Sequence, residues 1–100
     1  MFTEKNQAYV DEFINAFMDQ YELNDPAHRL QHFEEVLEVG LELREAFELY
    51  KYSVDMLIAG AYLHDLFARY RDIHHILAEE FVKNSDHSVL SRFTTHERNI

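Results

Sequence analysis

An all-α fold is what this chain predicts, and three observations carry that reading. Only 2 glycines and 1 proline punctuate 100 residues, so turn chemistry is scarce. Apolar residues recur at three- and four-residue steps nearly throughout, which is the spacing of a helix face. Hydrophobic residues make up 47% of the chain, with 8 Phe and 6 Tyr among them. That suffices for one core at a length where folding removes about 60 to 70% of the unfolded surface from water. Four or five helices in a single domain over residues 1–100 are therefore expected.

Thr3 suits the cap of a first helix, whose face Tyr9, Val10, Phe13, Ile14, Phe17, Met18 and Tyr21 is core. Asp25 followed by Pro26 is a second start signal, because aspartate accepts orphan amide hydrogens and proline's φ suits the first helical position. The second helix should run from about Pro26 to Glu48, with Leu30, Phe33, Val36, Leu37, Leu41 and Phe47 inward. Glu34, Glu35, Glu38, Glu42 and Glu45 fall mostly on solvated faces.

A third helix, about Ser53 to Ala68, is apolar almost all round (Met56, Leu57, Ile58, Ala59, Ala61, Tyr62, Leu63) and so belongs at the centre. Gly60 within it costs helix propensity, and close approach of a neighbouring helix is its expected use. A fourth helix covers roughly Ile73 to Lys83, ended by "NSDHS". Thr94 and Glu97 form a capping-box pattern for a helix with few residues left to build it. Such a helix is not stable alone, so the expectation is that the tail packs against something or that the natural chain continues beyond Ile100, this being the N-terminal part of a longer domain.

Net charge of −10, from 19 acidic and 9 basic residues, opposes non-specific attachment to nucleic acid or anionic membrane. A nucleotide ligand would need a local cation, such as a metal. Without cysteine there are no disulfides and no thiolate ligands. Neither an apolar signal core nor a run of roughly 18 apolar residues occurs, so a soluble, cytoplasmic protein is expected. Association with further copies of the chain is compatible with this composition.

The chemistry gathers in two stretches, "DPAHRLQHFEEVLEVG" from Asp25 and "LIAGAYLHDLFARYRD" from Leu57. The second ends an apolar helix in the pair His64 and Asp65, where burial of an unpartnered carboxylate costs several kcal/mol, of the order of a lost ion partner. A divalent cation removes that cost, since imidazole nitrogen and carboxylate oxygen both bind it. His32, in the early turns of the second helix, is the natural third ligand. His28, one turn earlier on the same face, can line the site or contact a phosphate.

His32, followed by His64-Asp65 closing an apolar helix, resembles the HD superfamily of metal-dependent phosphohydrolases. The similarity runs from about Asp25 to Phe67. It implies a helical domain that holds a divalent metal (Mn, Fe, Co, Ni or Zn, or Mg with waters) through His32, His64 and Asp65, with His64 and Asp65 at the catalytic centre. The implied activity is cleavage of a small phosphate ester, often a nucleotide, by a metal-bound water. The family's last aspartate ligand has no counterpart, because Asp72 and Asp86 both come too early. Ala68 stands where some subfamilies carry an acidic residue. Arg69, Arg71, His74 and His75 are candidate phosphate contacts.

Two readings compete with this. The His64-Asp65 pair can be a structural cap of the third helix, and the chain can be a non-catalytic helical interaction protein, its acidic face imitating nucleic acid. His87 and His96 read as surface or interhelical residues.

Overall fold

The fold is described from a computed structural model covering residues 2–24, 30–68, 70 and 72–99, with the backbone alone for His74. The chain is all-helical, and among these residues there are five α-helices, in the order α1 (Glu4–Glu22), α2 (Leu30–Ala46), α3 (Val54–Leu63), α4 (His74–Asn84) and α5 (Thr95–Arg98), with a 3-10 turn at Ser88–Leu90 between the last two. No helix among the described residues is long and apolar enough to cross a membrane.

Thr3 caps α1 as its sequence implies. Its hydroxyl accepts from the Asn6 amide at 3.2 Å, while the Asn6 side chain accepts from the Thr3 amide at 2.8 Å, so two orphan donors are satisfied reciprocally. Ser53 caps α3 through the Met56 amide at 3.1 Å. Thr94 and Glu97 complete the capping box of α5. That short helix does pack against something: Arg98 donates to Ser85 O at 2.7 Å and Leu90 O at 2.8 Å, which ties α5 to the end of α4 and to the 3-10 turn.

At the centre lies α3, with Ile58, Tyr62 and Leu63 buried. Helix α1 runs parallel to it, because Asn6 reaches Asp55 near the start of α3 and Tyr21 reaches Tyr62 O near its end. Helix α2 runs antiparallel: Arg44 donates to Tyr52 O at one end, Gly40 faces Leu57 midway, and His32 meets His64 at the other. Between the three helices lies an aromatic spine in which Tyr9, Phe13, Phe17, Tyr21, Phe33 and Tyr62 meet mostly edge-on. These are the rings whose helical spacing marks them as core; Ile14 and Met18 lie half-buried beside them.

Four expectations need correction. Helix α3 ends at Leu63 rather than Ala68: His64 is its C-cap, and the next residues form tight turns closed by Leu66 N to Leu63 O and Ala68 N to Asp65 O. Its face is not apolar and covered all round, since Met56 and Leu57 are half-exposed and Gly60 is exposed. Among the described residues no helix packs closely on Gly60, because a Cβ there meets nothing within 4 Å. Phe47 does not continue the inner stripe of α2. That helix ends at Ala46, and the following residue is 68% exposed. The start signal at Asp25 and Pro26 lies outside the described residues.

Candidate metal centre

The end of α3 is shaped by side chains that take up its carbonyls. A helix leaves its last C=O groups without backbone partners, and burying them unpaired is costly. Here the Tyr21 hydroxyl donates to Tyr62 O at 2.8 Å, Asn24 Nδ2 donates to Asp65 O at 3.0 Å, and the His64 ring lies 2.8 Å from Ala61 O through Nδ1. Two of these three partners come from the last turn of α1 and the residue just beyond it. Burial pushes the Tyr21 hydroxyl far above the ordinary tyrosine range, and Tyr62 up to about 12 by the same cause, so both remain donors.

With its carbonyls occupied, this chain end presents two consecutive side chains toward α2. A carbonyl only accepts, so the contact with Ala61 O places a proton on His64 Nδ1 and leaves Nε2 as the nitrogen that faces Asp65. That Nε2 stands 3.2 Å from Asp65 Oδ2, and His32 Nε2 stands 3.5 Å from the same oxygen. Phe33, buried on the next position of α2, sets its ring edge against His64 with centroids 5.8 Å apart. Asp65 is 5% exposed, whereas the two imidazoles are each open to solvent over 35% of their side-chain surface.

The donor set fits a divalent ion. His32, His64 and Asp65 each offer one ligand atom, and all three atoms lie within 4.8 Å of one another. Ligand atoms about 2.0 to 2.1 Å from a metal stand about 3.0 to 3.4 Å apart around it, close to the two carboxylate–imidazole separations seen here. A nitrogen lone pair facing a carboxylate oxygen at 3.2 Å also needs a positive centre between them, either a proton or a metal. The C-terminal end of α3 carries partial negative charge, which Asp65 adds to and a cation offsets.

Of the other residues singled out from sequence, His75 is exposed on the first turn of α4, and Asp72 and Asp86 are exposed and outside the triplet. His28, Arg69 and Arg71 lie outside the described residues, as does the His74 side chain. His87 is structural: its ring packs on Phe17 at 4.9 Å, and Nδ1 accepts from the Val89 amide. Sequence reasoning missed Asn24, since an asparagine before Asp-Pro reads as turn chemistry. It also missed Lys83 and Arg98, which line a cavity of about 360 Å³ that His64 also borders.

This arrangement defines a helical-bundle protein with a half-open His-His-Asp triplet at the end of its central helix. No family model, curated protein or solved structure matches the chain.

Proposed function

We propose that the chain is a metal-dependent phosphohydrolase of HD type acting on a small phosphate ester. The observation that carries this reading is the convergence of His32 from α2 with His64 and Asp65 from the end of α3, His64 also bordering an open cavity. The bound divalent ion would supply charge for the phosphoryl oxygens and a more acidic water. The protein's own part is separable from that. Asp65, buried and anchored through its main chain by Asn24, fixes the position of the negative ligand; His64, held through Nδ1 by Ala61 O, turns Nε2 toward the centre. Lys83 and Arg98 bring positive charge to the wall of the cavity bordered by His64 in an otherwise acidic protein. They would hold a phosphate dianion there.

The test is metal reconstitution followed by elemental analysis, with Mn, Co, Ni, Zn and Mg in parallel. About one ion per chain is expected from a single three-residue ligand set, lost in His64→Ala and in Asp65→Ala. Full occupancy in both variants would refute the site. Hydrolysis is then assayed across nucleoside monophosphates and simple monoesters, with His64→Ala as the blank.

A second reading, a non-catalytic interaction protein, draws support from one surface. Val39, Leu43, Phe47, Leu49 and Tyr50 are all exposed and fall within twelve residues, with the exposed Glu35, Glu38, Glu42 and Glu45 along the same helix. Such grouped exposure is characteristic of contact surfaces. Under this reading Leu43→Asp abolishes association measured by analytical ultracentrifugation and leaves metal content unchanged.

A further inference from the structure

Gly60 has no backbone or packing reason to be glycine. It lies inside α3 without a positive φ, and a Cβ placed on it meets nothing within 4 Å. Alanine there would favour the helix. What Gly60 does border is space. It lines two cavities at once, one of about 190 Å³ and one of about 360 Å³, and shares both walls with Val82 and Arg98. The two cavities adjoin along these shared residues, and Gly60 puts no side chain between them.

The joined groove has unlike ends. Along α3 its floor follows a four-residue row, Tyr52, Met56, Gly60 and His64, so Met56 and His64 stand about 12 Å apart at 1.5 Å per residue. Around Met56 most of the walls are apolar (Leu57, Ala59, Val82, Leu90 and Phe93), with Glu97 and Arg98 also in the lining. Around His64 they include Lys83, paired with Glu79 at 2.6 Å, and Arg98, whose guanidinium is held by two main-chain carbonyls rather than by a carboxylate. A ligand that satisfies both ends carries a compact anion at one end and an apolar body at the other.

We propose that this groove selects the substrate: a phosphate monoester of an apolar alcohol, alkyl or aryl, with its phosphate toward His64, Lys83 and Arg98 and its hydrocarbon passing over Gly60 toward Met56 and Phe93. The inference rests on the phosphohydrolase reading and specifies which ester. In the reaction, water adds to phosphorus, the P–O bond to the alcohol breaks, and the alcohol leaves with one proton from that water, giving inorganic phosphate. An apolar leaving group gains from burial along the groove, and a sugar hydroxyl in the same place would lose hydration.

The experiment compares methyl phosphate with hexyl phosphate on the full chain by calorimetry with Mg²⁺ present, alongside Gly60→Leu, which fills the groove from its floor, and Gly60→Ala. Manganese binding, followed by electron paramagnetic resonance, is measured separately on every variant. The wild type is expected to bind hexyl phosphate at least about tenfold more tightly than methyl phosphate, from burial of its extra methylenes. In Gly60→Leu the two affinities should converge while manganese binding stays unchanged. Should the leucine variant not fold, Gly60→Ala carries the test, with an intermediate loss of hexyl preference. Equal affinities in the wild type would overturn the proposal and leave the metal centre standing. Hexyl preference without manganese binding would support the groove and overturn the centre. Hexanol binding as tightly as hexyl phosphate would overturn the assignment of the phosphate to the His64 end.

Discussion

Asn24, just past the end of α1, donates its side-chain amide to the main-chain oxygen of Asp65, 3.0 Å away and 41 positions further along the chain. Both residues are buried, Asn24 at 2% and Asp65 at 5% exposure. The first helix is thereby bolted to the turn that carries two of the three candidate ligands.

Asn24→Ala should therefore do two things. Asp65 O keeps its turn bond from the Ala68 amide but loses its second donor, which costs about 0.5 to 1.5 kcal/mol and is read from urea unfolding. Manganese affinity should fall in the same variant even at temperatures where it is fully folded, because Asp65 loses its anchor. Unchanged affinity in a destabilised protein would mean that the bond supports the fold alone.

Two neighbours on α3 should respond differently to truncation. Ile58 is fully buried, so Ile58→Ala should cost about 2 to 5 kcal/mol. Leu57 is half-exposed against Gly40, so Leu57→Ala should cost clearly less, about 1 kcal/mol. Equal losses measured by denaturant titration would place both side chains in the same environment.

Glu48 has a φ of 54°, the left-handed conformation that side chains with a Cβ adopt at a cost. Leu49 N bonds back to Arg44 O at 2.9 Å across it, the closure that usually ends a helix on glycine. Replacing Glu48 by Gly should raise stability by about 0.5 to 1 kcal/mol, seen as a higher melting temperature. A lower one would show that the glutamate side chain contributes more than its backbone costs.

Three of the six tyrosines should make the protein alkali-labile. Burial raises Tyr9, Tyr21 and Tyr62 above the ordinary value of 10.0, with Arg92 beside the Tyr9 ring opposing the rise only in part. Their neutral forms are favoured by folding, so the stability they confer is complete below pH 10 and declines as pH climbs toward the folded values. Each buried tyrosine should lower unfolding free energy by about 1.4 kcal/mol per pH unit in that window. Tyrosinate absorbance from these three should rise together with loss of helical circular dichroism. Ionisation of all six tyrosines with the helices intact would contradict the burial.

How far the chain could be read without coordinates depended on the range of the interaction involved. Caps at Thr3, Ser53 and Thr94 each rest on partners three residues away, and the core faces of α1 and α3 rest on a period of 3.6, so both kinds of information sit within one or two turns of sequence. The His64-Asp65 pair stood out for the same local reason, as titratable groups closing an apolar run. Other features had no local signature. Helix α3 stops at Leu63, where Tyr21 takes the carbonyl of Tyr62 and Asn24 that of Asp65 in the turn beyond, each from 41 residues away. Gly60 borders a cavity rather than a packed neighbour, because α4 and α5 stand off from that side of α3 and leave nothing within 4 Å of a Cβ there. Which residues form helices and which faces are apolar follow from backbone periodicity and capping chemistry, both local to the chain. That His32 meets His64 and Asp65, and that a groove opens beside His64, follows from the packing of the helices, because the antiparallel contact of α2 with α3 sets which side chains share a point in space.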